Sequence, residues 1–259
     1  MGGVWGNKIK LSIFGESHGE GIGIVIDGIE PGIKVNMDNI EKDMERRAPG
    51  RNSLSTQRKE GDKPEILSGI FNGITTGAPI SMIIRNTDKR SRDYSKIKDV
   101  MRPGHADFPG YIRYNGFNDY RGGGHFSGRL TLGLVAAGVV AKKMIPEVVF
   151  KTELYSLKGI TDKKKFNEIL DEAISNHDSV GGVVSLRASN VIVGLGEPYF
   201  DSLESIISHL IFSVGGVKGI EFGCGFDGEA LSGSSFNDMI IDSAGKTKTN
   251  HNGGINGGI

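Results

Sequence analysis

"KIKLSIFGESHGEGIGIVIDGIEPG", residues 8–32, is two strand patterns separated by a loop that carries a histidine. Lys8 to Phe14 alternates polar and apolar side chains, the period-two pattern of a β-strand. The run from Gly21 to Val35, "GIGIVIDGIEPGIKV", predicts a second strand and a Pro31-Gly32 turn. Between them stands His18, flanked by glycines. A turn needs only residues such as Gly and Asn, whereas an imidazole adds a group that titrates near neutral pH. Two readings of His18 follow, turn structure or proton transfer, and the residues alone leave both open.

Working outward, "NMDNIEKDMERRAPG" (36–50) predicts a helix. Asn36 or Asp38 supplies the cap, Ile40 and Met44 share a face, and Pro49-Gly50 ends it. "GDKPEILSGIFNGITTGAPISMIIRNT" (61–87) is strand-like and glycine-punctuated. Residues 88–129 show little periodicity over a length unusual for a connecting loop, which points to a ligand-organising segment. "LTLGLVAAGVVAKKMI" (130–145) is apolar on most faces and predicts a buried helix. Further helices are expected over 166–178 and 200–214. Strands are expected in "GGVVSLRASNVIVGLG" (181–196) and "GVKGIEFGCGF" (216–226). No composition break marks a boundary, so residues 1–259 are expected to form a single domain.

The 259 residues are enough to bury a substantial core. Lys+Arg and Asp+Glu are 31 each, which argues against nucleic acid as a partner of the whole surface and leaves room for a local basic pocket. One cysteine, Cys224, excludes an intrachain disulfide framework and suits a reducing compartment. The start has no signal-type apolar core, and no apolar run reaches the ~20 residues of a membrane span. A cytoplasmic protein with no membrane partner is expected.

Three histidines stand beside glycines in expected loops: His18, His105 and His125. None has metal-ligand spacing, so no metal site is expected. Arg46, Arg47, Arg51, Arg102, Arg113, Arg121 and Arg129 surround the same loops. Any one of them reads equally well as a solvated cation. As a set they suggest a small ligand with more than one acidic group, because guanidinium holds phosphate and carboxylate bidentately. "RGGGHFSGR" (121–129) leads into an apolar helix, an arrangement that suits an anion but also a plain tight turn. It matches neither the Walker nor the dinucleotide-binding pattern.

The blocks "FGESHG", "DGIEPG", "RRAPG", "STQRKE", "NTDKRSRDYS", "RPGHAD", "DYRGGG", "GLGEP" and "NHNGGINGGI" occur in the order found in chorismate synthases, and the resemblance covers essentially the whole chain. The resemblance implies an α+β fold with helices sandwiched between antiparallel sheets, assembled as a homotetramer. It implies a lyase that converts 5-enolpyruvylshikimate 3-phosphate to chorismate with reduced FMN, NADPH serving indirectly for flavin reduction. It assigns His18 as a proton donor near flavin and substrate, and His105 as the donor to the leaving phosphate. It matches Ser17, Arg47, Arg102 and Arg129 to substrate contacts, with Arg47 also at the position associated with NADPH. It matches His125, Phe126, Ser127, Gly215, Gly216 and Gly257 to flavin contacts.

The chain departs from the family pattern in three places. The triplet His125-Phe126-Ser127 stands where Arg-Ser-Ser is usual. Ser53 occupies the position of a substrate arginine, with Arg51 close by as a candidate substitute. The sequence stops at "NGGI", before the family's Lys-Pro-Thr and Arg-His-Asp-Pro-Cys segments. The resemblance therefore implies a C-terminally truncated enzyme, with an inactive fragment of partial FMN and substrate binding as the alternative.

Overall fold

The computed structural model describes residues 2–48, 62–86 and 99–259. The expected helix stop at Pro49-Gly50, the block "STQRKE", Arg51 and Ser53 lie outside the described residues, as does all but Asn86 of "NTDKRSRDYS". The Cα positions group into two compact units, Met1–Asn190 and Val191–Ile259.

The first unit is built on a five-stranded antiparallel sheet in the order β1-β2-β3-β7-β4. Its strands are β1 (Val4–Trp5), β2 (Lys10–Gly15), β3 (Gly21–Asp27), β4 (Pro64–Ser68) and β7 (Ile80–Arg85). The short pair β5 (Ile70–Phe71) and β6 (Ile74–Thr75) lies between β4 and β7 in sequence. β2 and β3 are the two strands expected on either side of His18, paired antiparallel from Lys10↔Asp27 to Gly15↔Ile22. Alternation then decides which side chains are buried. Ile22, Ile24 and Ile26 of β3 stand opposite Ile84, Met82 and Ile80 of β7, and all six are buried.

Two helices cover this face. α1 (Met37–Arg47) begins at Asn36, whose side chain accepts a hydrogen bond from the Asp38 N–H at 2.9 Å. It buries Ile40 and Met44, the pair its spacing selects. The apolar segment after the glycine run forms α3 (Thr131–Met144), which buries Leu132, Ala136, Val139 and Val140 in the same cluster. Ahead of it lies α2 (Asp107–Arg113), within the stretch that shows no periodicity. The unit also holds α4 (Phe166–Ser175) and a ribbon of β8 (Val149–Leu157) with β9 (Gly182–Ser189). β8 has no counterpart among the sequence expectations. β9 ends at Ser189, so the expected strand over 181–196 is shorter than its pattern suggests.

The second unit contains α5 (Leu203–Ile211), capped by the Ser202 side chain, and the short α6 (Gly233–Phe236). The strand expected over "GVKGIEFGCGF" does not form: these residues make turns and a 3-10 segment beginning at Gly225. Gly223 takes φ +63°, and the place of a Cβ there is filled by the His251 carbonyl, so the chain turns where a strand would run on. The block "NHNGG" is gathered by Asp238. Its carboxylate accepts from Thr249 Oγ1 at 2.7 Å, His251 N at 2.8 Å, and Asn252 N at 2.9 Å and Nδ2 at 3.2 Å. Burial works to raise the Asp238 carboxyl, but these hydrogen bonds outweigh it and hold it down at about 2.

Candidate active site

Several chain segments meet at one end of the five-stranded sheet, and strand register brings them there. The β2–β3 loop, Glu16 to Glu20, leaves the sheet at this end. Because Gly21 pairs with Arg85, Asn86 follows on beside the loop, and its N–H donates to Glu20 O at 3.2 Å. Because Pro64 pairs with Ile84, Asp62 precedes β4 at the same edge. The buried Asn86 side chain donates to Glu16 O at 3.0 Å and Gly19 O at 2.9 Å, bracketing Ser17 and His18.

The glycine run closes over this loop. Ser17 N donates to Gly124 O at 3.1 Å, and His125 Nδ1 lies 2.9 Å from Gly15 O, its acceptor in the Nδ1–H tautomer. Gly122 and Gly123 have φ of +58° and +85°. A Cβ on Gly122 would collide with the His18 ring and lie 3.0 Å from Ser17 Oγ. A Cβ on Gly123 would stand 2.8 Å from His105 Cε1 and 2.9 Å from His105 Nε2. The two imidazoles therefore rest on adjacent glycines, whose Cα atoms are ~3.8 Å apart. Any side chain at either position would occupy the space of a histidine.

His105 is oriented by a residue that the sequence reading did not select. Its Nδ1 lies 2.7 Å from Asp107 Oδ1, its acceptor in the Nδ1–H tautomer, and 3.2 Å from Arg102 Nη2. Arg102 grips the same carboxylate, with Nε to Oδ2 at 2.7 Å, Nη2 to Oδ1 at 2.8 Å and its backbone N–H to Oδ2 at 3.0 Å. The Arg102 side-chain hydrogen bonds hold the Asp107 carboxyl well below the usual carboxylate range, against a smaller opposing effect of burial. An ionised Asp107 facing Nδ1 directs Nε2 away from itself, toward Gly123.

Arg47 and Arg129 meet at Asp62. Arg129 Nη2 donates to Asp62 Oδ1 at 2.8 Å, and Arg47 Nη1 donates to Asp62 Oδ2 at 3.4 Å. Arg129 Nη1 also donates to Asn86 Oδ1, and Arg47 Nη2 reaches Gly128 O at 3.5 Å. Arg129 is buried, just ahead of α3, and Arg47 ends α1. The helix end, the helix start and the sheet edge are thus joined through one carboxylate.

On the other side of the loop, Arg121 forks onto Asp119 with contacts of 2.8 Å and 2.7 Å. Burial, then a hydrogen bond with Asp119, raises the Glu16 carboxyl above its ordinary value. Asp119 moves down: burial opposes this, but the Arg121 hydrogen bonds prevail. Glu16, Glu20 and His125 line a concavity of about 560 Å3 together with Ile13, Phe14 and Ile83. The rest of the triplet is engaged elsewhere. The Phe126 ring packs over Gly110 of α2 and lies 5.9 Å from the Tyr114 ring. Ser127 Oγ accepts from the Arg129 N–H at 3.3 Å.

Gly215, Gly216 and Gly257 belong to the second unit. Gly215 and Gly216 follow the end of α5. Gly257 precedes Gly258, whose carbonyl accepts from the Leu203 N–H at the start of α5, at 2.9 Å. A Cβ at any of the three meets no atom within 4 Å. Among the described residues no group of three or more His, Cys, Asp or Glu is placed to hold a metal ion, and no helix is long and apolar enough to cross a membrane.

Sequence reasoning missed Asp62, Asn86 and Asp107. A His-x-Asp spacing was available for Asp107. Asp62 and Asn86 had no local signal, since their arginine partner lies 67 and 43 residues away.

Comparison with known proteins agrees with the motif order. The family model "Chorismate synthase" matches residues 9–259. The chain is 50% identical to the chorismate synthase of Chitinophaga pinensis over 256 residues, 98% of this chain and 76% of that protein. It is 45% identical to the chorismate synthase of Pyrococcus abyssi, over 98% of this chain and 78% of that protein. A chorismate synthase crystal structure superposes with a TM-score of 0.80 at 28% identity, covering 97% of this chain and 80% of that one. The motifs, the sheet-end cluster and these likenesses converge: the chain belongs to the chorismate synthase family.

Proposed function

We propose that this chain is a carbon–oxygen lyase that converts 5-enolpyruvylshikimate 3-phosphate to chorismate and inorganic phosphate by 1,4-anti elimination. Family membership supports the reaction, and an inactive fragment is the less favoured alternative. The observation that carries the reading is the seating of His18 and His105 on Gly122 and Gly123, beside an arginine-bearing sheet end.

The elimination breaks a C–O bond to phosphate and a C–H bond, and forms a new C=C bond with no net redox change. Departing phosphate needs a proton and fixed positive charge. His105 gives a proton from Nε2 to a phosphate oxygen, while Asp107 at Nδ1 fixes the ring. Arg102, Arg129 and Arg47 hold the phosphate and carboxylates, with Ser17 at the loop beneath. His18 is the second proton donor, on the cofactor side.

The family implies a flavin, and reduced FMN is the form this reading takes. When bound, reduced FMN would supply electron density to the allylic system as phosphate leaves and would accept the proton released from the breaking C–H bond. The residues beside the loop would offer such a group apolar and aromatic walls, Ile13, Phe14, Ile83 and the His125 ring, in an open concavity of about 560 Å3 that the Glu16 and Glu20 carboxyls also line. For Phe126, Ser127, Gly215, Gly216 and Gly257 as flavin contacts, and for a homotetramer acting as one domain per chain, the support is resemblance. NADPH enters indirectly, through flavin reduction, and the lone Cys224 supports a cytoplasmic setting.

The test is anaerobic incubation with reduced FMN and 5-enolpyruvylshikimate 3-phosphate, following chorismate absorbance and phosphate release together. Equimolar products with reduced FMN, and none with oxidised FMN, are expected. Phosphate release without chorismate would overturn the reading.

A further inference from the structure

We propose that Asp62 is the positioning residue of the substrate-anion site, holding Arg47 and Arg129 in register through one carboxylate. The inference rests on the lyase reading for the identity of the substrate. Its geometry stands apart from that reading.

The Asp62 side chain is 1% exposed, and two guanidiniums share it: Arg129 at 2.8 Å and Arg47 at 3.4 Å. A carboxylate buried this deeply persists only where cations and hydrogen bonds compensate its lost hydration. With one guanidinium on each of its oxygens, this carboxylate sets the separation of both cations. The Asp62 backbone adds a second observation. Its φ of +35° lies in the left-handed region, a conformation that costs free energy in a non-glycine residue and that collects at functional sites.

The cluster is also wired to the loop that carries His18. Arg129 hydrogen-bonds Asn86, and Asn86 in turn holds Glu16 O and Gly19 O on either side of His18. Moving the Asp62 carboxylate would therefore shift both cations and loosen the loop that carries His18. Substrate with phosphate and carboxylate groups needs those cations at fixed separation, because bidentate recognition depends on geometry as well as charge. Inorganic phosphate needs only one of them.

This difference supplies the test. Binding of 5-enolpyruvylshikimate 3-phosphate and of inorganic phosphate is titrated calorimetrically for wild type, Asp62→Asn and Asp62→Glu. Rotation of the Arg129 guanidinium is followed by nitrogen-15 NMR. In Asp62→Asn we expect substrate binding weaker by about tenfold or more. Phosphate affinity stays within about threefold or tightens, because the local positive charge has grown. Asp62→Glu keeps the charge but moves the carboxylate by one methylene, so it too loses substrate affinity. It also serves if Asp62→Asn does not fold. Substrate affinity unchanged in either folded variant overturns the proposal, as does parallel weakening of both ligands. A wild-type chain that binds no substrate sinks the lyase reading, and the NMR then decides on Asp62 by itself. Restricted Arg129 rotation lost in a folded variant supports the role, and rotation still restricted overturns it.

Discussion

His105 and Asp107 are joined by a 2.7 Å hydrogen bond from Nδ1 to a carboxylate that Arg102 grips at three further points. The imidazole is thereby held in one orientation by a partner whose charge is itself fixed. Asp107→Asn removes that charge and leaves the shape. We expect kcat to fall about 10²-fold, at the lower edge of what positioned acid–base groups supply, with KM changed by less than about threefold. Steady-state chorismate formation checks this. A variant whose loss falls on KM alone would make Asp107 a binding residue.

Asp107 and Glu16 contribute to the pH dependence of stability with opposite signs. Asp107 is held below its ordinary 3.8, so its contribution is present above that value and is lost as pH falls below it. Glu16 is raised above 4.5, so its contribution is full below that value and fades as pH rises through the folded one. Thermal melts from about pH 2 to about pH 8 reach below the ordinary 3.8 of Asp107 and above the 4.5 of Glu16, and should show Asp107→Asn blunting the acid loss. Glu16→Gln should gain on wild type as pH rises. A Glu16→Gln advantage that grows toward acid pH would contradict the assigned direction.

Gly123→Ala tests the seat beneath His105. The substituted methyl would stand 2.8 Å from the ring, at φ +85°. Left-handed backbone costs an alanine roughly 1–2 kcal/mol, and a misplacement of about 1 Å at a reacting group can cost 10²-fold in rate. The expected outcome is a modest drop in Tm with a loss of kcat near 10²-fold. Near-normal turnover would mean that His105 tolerates displacement.

Ile24 sits at 0% exposure between Met82 and the helix that covers the sheet. Ile24→Ala should destabilise the first unit by about 2–5 kcal/mol, and Ile24→Val by about 0.5–1.5 kcal/mol. Denaturant unfolding at constant m-value checks both. Equal effects would mean that the site collapses around the cavity.

What was legible in the sequence follows from what is local. β2 was carried by alternation, α1 by Asn36 and the Ile40–Met44 spacing, and α3 by its apolar run. α2 was hidden because Pro109 and Gly110 break its pattern and no side chain caps its start. The false strand over 216–226 had the right composition, but the approach of the His251 carbonyl to Gly223 decides its path. In the site, His18, His105 and the arginines stood out because their chemistry is visible one residue at a time. Asp62 and Asn86 did not, because a carboxylate or amide acquires its role from the cation that folding brings to it.

The most direct measurement compares wild type with His105→Ala in anaerobic assays with reduced FMN and 5-enolpyruvylshikimate 3-phosphate. Wild type is expected to form chorismate, and the variant to lose about 10²–10⁴-fold in kcat, the range of a general acid. Undiminished chorismate formation by His105→Ala, folded and flavin-bound, would contradict that role.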